Sequence, residues 1–268
     1  MIDLHCHILP GLDDGARTIE ESVAMARLAA EDGVRTIVAT PHLFRGQFGA
    51  GGFGVIELRR RELAEEIRRQ GIALEILAGA EVHISHNLIE EIRKNRAYLV
   101  LAGSPYMFLE FPTEHVFSGV RELLFELMTE GVTPIIAHPE RNSVFTENPG
   151  LLFDLIEMGG LAQANGRSFM GGYGSLVEET AFRFLEWNFI HFIASDGHSP
   201  RSRPPRLSEA VRAAARVIGE KNASALVEDN PRAVLAGGEP VFHPDPINPS
   251  AHRKKLKVPL PVFFKARK

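Results

Sequence analysis

The chain opens with Ile2-Asp3-Leu4-His5-Cys6-His7-Ile8-Leu9, an apolar run carrying two imidazoles, and continues into a turn with Asp13, Asp14 and Gly15. Successive side chains of a strand point to opposite faces, so His5 and His7 share one face and Cys6 takes the other. Two imidazoles at a strand end, followed by carboxylates, form a metal-binding edge. The pattern recurs: Thr40-Pro41-His42, Gly79-Ala80-Glu81, Glu110-Phe111-Pro112, His138-Pro139-Glu140-Arg141 and Ser195-Asp196-Gly197-His198 each close an apolar run. His5, His7, Asp14, His42, Glu81, Glu110, His138, Asp196 and His198 thus supply nine nitrogen and oxygen ligands. One zinc ion usually takes four, so the set suits two or three ions with a shared carboxylate.

Imidazole and carboxylate ligands admit manganese, iron or zinc. Such ions bind phosphate oxygens, lower the pKa of a bridging water and hold its hydroxide in line with a leaving group, which makes hydrolysis the expected reaction class. Arg141 lies three residues beyond His138, while Arg201 and Arg203 follow His198 in Ser199-Pro200-Arg201-Ser202-Arg203-Pro204-Pro205. Guanidinium groups match phosphate geometry, and Arg141 and Arg203 are the candidate phosphate-binding residues. Position 12, six residues after Cys6, is leucine, so no Cys-x5-Arg nucleophile motif is present. His83, His86 and His115 near the same loops are read as exposed or locally hydrogen-bonded, and His191 as a core residue. His243 and His252 receive no catalytic role.

These groups need a scaffold that brings strand ends together. Thr18-Ile19-Glu20-Glu21 fits a capping box opening a helix to about Asp32, and Val34–Ala39 reads as the second strand. Further strands are expected at 74–78, 106–110, 133–137, 161–164 and 191–194, with helices near 55–70, 88–94, 119–130, 151–158, 175–188 and 207–220. A shorter helix is possible after Pro231. About seven β/α repeats without a long linker give the expected fold class, a distorted seven-stranded β/α barrel of TIM-like type with its site at the carboxyl ends of the strands. An open doubly wound sheet is the competing arrangement. Residues 44–54, rich in glycine and phenylalanine, read as a flap over a ligand or as a surface loop.

The barrel is expected over 1–236. Residues 237–268, rich in proline and lysine, are expected to be an extended tail that wraps the domain or lies in solvent. The 268 residues are 44% hydrophobic and 24% charged, with a formal net charge of -4, which gives no reason to expect nucleic acid as the partner. A single cysteine, no long apolar run and no basic signal-like start lead to the expectation of a cytoplasmic protein without a transmembrane segment.

The segments IDLHCHILPGLDDGA, ATPH, AGAE, LEFP, IIAHPER and ASDGHSPRSRPP, in this order over residues 2–205, resemble the polymerase and histidinol phosphatase superfamily. Within it they most resemble the bacterial manganese-dependent protein-tyrosine phosphatases of capsular and exopolysaccharide synthesis. The resemblance implies a trinuclear site, with one metal on His5, His7, Glu81 and Asp196, a second on Glu81, Glu110 and His138, and a third on Asp14, His42 and His198. It implies phosphate binding by Arg141 and Arg203, and as substrate the phosphotyrosine tail of a polysaccharide-synthesis kinase or another phosphoprotein. Glu110 stands where relatives resembling histidinol phosphatases place a histidine, SDGH replaces the frequent SDAH, and GQFGAGGFG departs from the expected flap pattern. Two other functions fit the residues: a small-molecule phosphomonoesterase such as a histidinol-phosphate phosphatase, and a non-catalytic metal-binding interaction module.

Overall fold

The structure is a computed structural model that describes residues 1–46 and 52–252. Its strands are β1 (Ile2–Cys6), β2 (Thr36–Ala39), β3 (His42–Leu43), β4 (Glu75–Ala78), β5 (Glu81–His83), β6 (Tyr106–Glu110), β7 (Thr133–Ala137), β8 (Leu161–Asn165) and β9 (Phe192–Ala194). The helices are α1 (Ile19–Glu31), α2 (Phe53–Arg69), α3 (Leu88–Leu99), α4 (Val120–Thr129), α5 (Ser143–Glu147), α6 (Pro149–Glu157), α7 (Ser175–Glu186), α8 (Ser208–Ile218), α9 (Glu220–Ala225), α10 (Asp229–Leu235) and α11 (Pro249–His252). Every strand pairing is parallel, as helical crossovers require.

Among the described residues the strands form two sheets, β1-β2-β4 and β3-β5-β6-β7-β8-β9. Two of the expected strand runs continue across a break into the second sheet. β2 ends at Ala39 and β3 resumes at His42; β4 ends at Ala78 and β5 resumes at Glu81. At the first break Pro41 has no N–H to give the ladder, but its carbonyl accepts from Glu81 N at 3.1 Å. Both breaks fall at residues expected to reach the site. On the far side, a single bridge between Cys6 and Gly197 joins the end of β1 to the exit of β9.

The core has two parts. One contains outward strand residues and the buried helix faces, including Met25, Leu63, Ile92, Leu124, Leu155 and Phe184. The other holds Leu4, Val38, Phe108, Ile135, Leu161 and Phe192 with Leu101 and Val234. Leu4 and Cys6 belong to different parts although strict alternation puts them on one face. The β1–β2 register shifts between Asp3 and Cys6, which accounts for the change of side.

α1 begins as expected, with Thr18 Oγ1 accepting from Glu21 N at 3.3 Å, but the Glu21 carboxylate reaches back to Arg17 N rather than to Thr18 N. α3 is longer than the expected 88–94, α5 and α9 were not anticipated, and α11 is a helical turn within the tail expected to be extended. Of the expected flap, residues 47–51 lie outside the described residues, and 53–54 already belong to α2. The described part of the tail lies on the body: Asn230 exchanges hydrogen bonds with the Phe242 backbone, and Ile247 N donates to Trp187 O at 2.9 Å. Lys254, Lys255 and Lys257 lie outside the described residues. No described helix is long and apolar enough to cross a membrane.

Candidate metal centre

The nine expected ligands come together at the carboxyl ends of the strands. Three groups have donor atoms close enough to share an ion: His7, Asp14, His42 and His198; His5, His7 and Glu81; and His42, Glu81 and Glu110. His138 joins them through Nε2, 2.8 Å from Glu81 Oε1. Except for Asp14, which is about half exposed at the rim, and partly covered His138, these side chains are buried.

Local backbone aims them inward. His138 and Asp196, each just beyond a strand, have φ of 33° and 49° in the left-handed region. That conformation costs a non-glycine residue about 1–3 kcal/mol and persists where the surroundings impose it. The Asp13-Asp14-Gly15 turn folds back under His7: Gly15 N donates to Asp13 Oδ1 at 2.9 Å, and a Cβ at Gly15 would stand 2.2 Å from the His7 carbonyl oxygen. Only glycine fits there.

Neighbours also set the imidazole tautomers. His5 Nδ1 faces Gln163 Oε1 at 2.9 Å, His7 Nδ1 faces Asp13 Oδ2 at 2.7 Å, and His198 Nδ1 faces the Asp196 carbonyl at 2.9 Å. Each partner can only accept, so Nδ1 carries the proton and Nε2 turns its lone pair to the site, the arrangement usual for metal-binding histidines. His5 Nε2 and His7 Nε2 are 3.2 Å apart, and each is 3.3 Å from Glu81 Oε2. His42 Nδ1 stands 2.9 Å from that oxygen. Glu81 Oε2 is fully buried among these nitrogens. The Nε2 lone pairs of His5 and His7, converging on an anionic oxygen, repel it unless protons or cations lie between them. The donor set therefore fits metal ions.

The electrostatics agree. Burial pushes the His5 and His7 imidazoles down, but Glu81 and Asp196 beside His5, and Asp13, Asp196 and Glu81 beside His7, lift both above the ordinary value. His42 is raised to about 9, burial being outweighed by Asp14 and Glu81. Burial would raise Glu81 and Asp196, yet the surrounding imidazoles, and Arg203 beside Asp196, hold both well below the usual carboxylate range. The pocket is built to retain negative charge on its acids and gather positive charge around them.

Arg141 and Arg203 line the same cleft. Arg141 Nη1 donates to Asp196 Oδ2 at 3.0 Å and Arg203 Nη2 at 2.5 Å, while Asn165 Nδ2 donates to that oxygen at 2.6 Å. The other oxygen, Oδ1, faces His5, His7 and His198 at 3.4–3.7 Å. Asp196 thus holds the imidazole cluster with one oxygen and the arginine pair with the other. Arg201 stays exposed on the adjoining loop.

Several supporting groups escaped sequence reasoning. Asp13 belonged to the expected metal-binding edge but not to the nine ligands; the structure puts it on His7 and on His42 N. Gln163 and Asn165 alternate along β8, a strand whose sequence shows polar residues where a buried run needs none; that was the available signal. Asp3 receives Ser195 N and Ser195 Oγ and so stitches β1 to the exit of β9. Arg45 lies 3.2 Å from Glu110, and His83 bonds the other oxygen of that carboxylate at 3.0 Å. His86 and His115 line a separate apolar recess beside Phe111. His191 is buried as expected, its Nδ1 accepting from Ala162 N.

Comparison with known proteins identifies its lineage. The family profile for capsular polysaccharide synthesis, CpsB/CapC, matches residues 1–236. Tyrosine-protein phosphatase YwqE of Bacillus subtilis is 36% identical over 254 residues, covering 95% of this chain and 98% of that protein. Tyrosine-protein phosphatase CpsB of Streptococcus pneumoniae is 34% identical, covering 88% and 98%. A structure reported among those of YwqE and CpsB, described as unique metal-dependent tyrosine phosphatases, superposes with a TM-score of 0.86 at 34% identity, covering 92% of this chain and 99% of that one. A phosphotriesterase from Mycobacterium tuberculosis shares the fold alone, at a TM-score of 0.54 and 14% identity. The chain belongs to the CpsB/CapC family of capsular polysaccharide synthesis.

Proposed function

We propose that the protein is a metal-dependent protein-tyrosine phosphatase of capsular or exopolysaccharide synthesis. One observation carries the reading: Asp196 ties a cluster of imidazoles and carboxylates to two arginines in the same cleft. Full-length similarity to proteins named tyrosine phosphatases supports the substrate class.

His5, His7, Glu81 and Asp196 would hold one metal, Glu81, Glu110 and His138 a second, and Asp14, His42 and His198 a third, with manganese the proposed ion. When bound, such cations polarise phosphoryl oxygens and supply a water-derived nucleophile at neutral pH. The chain's own part is positioning. Arg141 and Arg203 give planar donors to the phosphate oxygens and stabilise charge that builds on them during transfer. Gln163, Asp13 and the Asp196 carbonyl fix the imidazoles. Tyrosine leaves as a phenolate more readily than serine leaves as an alkoxide, because its unperturbed pKa is about 10.

The two sheets are proposed to make one distorted seven-stave barrel; the Cys6–Gly197 bridge, with Asp196 N donating to the His5 carbonyl and His7 N to the Gly197 carbonyl, supports closure between β1 and β9. The barrel is proposed to span 1–236, with 237–268 as an appended tail. The substrate is proposed to be the phosphotyrosine-bearing tail of a polysaccharide-synthesis kinase or another phosphoprotein, met in the cytoplasm. Chelation followed by controlled manganese return tests the core of this reading. Phosphate release from a phosphotyrosyl peptide should vanish with the metal and return with it; full turnover by metal-free protein would refute it.

A further inference from the structure

Tyr173 stands among three guanidinium groups. Its ring centroid is 4.4 Å from the Arg141 guanidinium carbon, 5.7 Å from that of Arg167 and 5.9 Å from that of Arg203. Arg141 and Arg203 line the cleft, whereas Tyr173 and Arg167 do not. Like charges so placed repel, and apart from the Asp196 oxygen that takes both clamp arginines, the negative face of an aromatic ring is the attractive partner they share.

The surroundings lock this arrangement. Arg167 Nη1 donates to the Ser202 carbonyl at 2.8 Å, next to Arg203, and its Nε donates to the Gly172 carbonyl at 3.3 Å, next to Tyr173. It thereby ties the loop that bears Arg203 to the loop that bears the ring. Glycine at 172 is required for this tie, because a Cβ there would lie 2.3 Å from Arg167 Cγ. The Tyr173 hydroxyl is buried and has no hydrogen-bond partner among the described residues. Whatever Tyr173 does for the arginines, it does with its ring.

We propose that Tyr173 is a positioning residue of the phosphate clamp, its ring face holding the Arg141 and Arg203 guanidiniums in place while their contacts pass from Asp196 Oδ2 to phosphate oxygens. Both arginines donate to that one carboxylate oxygen. An arriving phosphate competes for the same donors. A contact that persists through the exchange keeps the two forks in register and reduces the side-chain freedom lost on binding. The inference rests on the phosphatase reading and assigns that site a residue that touches neither substrate nor metal.

Calorimetric titration of manganese-loaded protein with inorganic phosphate tests it, comparing wild type, Tyr173→Phe, Tyr173→Met and Tyr173→Leu, each also in an Arg141→Met background. Tyr173→Phe should bind within about twofold of wild type, and the two ringless variants about tenfold more weakly. KM for a phosphotyrosyl peptide should rise in parallel at unchanged metal content, and the ringless penalty should shrink several-fold in the Arg141→Met background. Equal weakening by Tyr173→Phe, no weakening by either ringless variant, or an undiminished penalty without Arg141 would overturn the proposal. Phosphate binding that depends on the ring in a protein unable to hydrolyse phosphotyrosine would remove the phosphatase reading and leave the clamp standing. Full hydrolysis with ring-independent phosphate binding would do the reverse.

Discussion

The same strands carry two buried regions of opposite chemistry. Along β6, Phe108 is packed with Leu4, Ile135 and Phe192, and two residues later Glu110 enters the polar cleft. Along β7, Ile135 and Ala137 are apolar and His138 follows at once. His5 even touches both, its ring 4.8 Å from Phe108 and 5.2 Å from His7. The apolar layer is stabilised by what it excludes, namely water. Apart from Asp14 and His138 the acids and imidazoles of the polar layer are buried just as deeply, yet they are compensated by one another and, in our account, by metal. Burial alone therefore says nothing about role; what compensates the buried group does.

Single substitutions should separate the layers. Glu81 has one oxygen on His138 and the other among His5, His7 and His42. Glu81→Ala should abolish metal retention and lower phosphotyrosyl hydrolysis by about 10⁴-fold, roughly 5 kcal/mol of transition-state stabilisation. Metal analysis beside steady-state kinetics checks this, and retained metal with lost activity would move Glu81 out of the shared-ligand role. Phe108→Ala should act in the opposite sense. It should cost about 3–5 kcal/mol of folding stability in urea titration, while the protein that remains folded still takes up metal. If the second variant lost metal without losing stability, the two layers would not be separable as described.

How much of this was legible beforehand follows the same division. Period-two alternation and the acidic or basic residues at strand exits exposed all nine ligand candidates, because metal ligands must be particular residue types at particular ends. The capping box at Thr18 placed the start of the first helix. The sheet breaks at Thr40-Pro41 and Gly79-Ala80 were not legible, since they depend on how neighbouring strands bend against one another. Gln163 and Asn165 were missed for a related reason. Their partners lie across the fold, His5 being 158 residues from Gln163 and Asp196 31 residues from Asn165, and the polar positions within a buried strand were the one local signal.

A milder comparison concerns a histidine outside the cleft. Burial, reinforced by the neighbouring His243 imidazole, holds His191 down to about 3, where the cleft histidines 5, 7 and 42 are raised. Its folded value lies below the ordinary 6.5 of an unfolded histidine, so its stabilising effect is complete above pH 6.5. As pH falls below that value only the unfolded chain takes up the proton, and stability is lost until pH approaches 3. Between pH 7 and pH 5 this amounts to about 2 kcal/mol. Urea unfolding at the two pH values should show a larger loss for wild type than for His191→Gln, and equal losses would contradict the assignment.

The central claim is that phosphotyrosine is hydrolysed by the metal and arginine cleft without a cysteine nucleophile. Cys6 is buried, and burial with the nearby Asp3 pushes its thiol well above the ordinary range, which leaves it protonated and inert. The most direct test measures kcat/KM of manganese-reconstituted wild type and Cys6→Ala on phosphotyrosyl peptide, phosphoseryl peptide and histidinol phosphate. The account predicts a clear preference for the phosphotyrosyl peptide and a Cys6→Ala value within about threefold of wild type. Preference for histidinol phosphate, or loss of activity in Cys6→Ala with fold and metals intact, would contradict it.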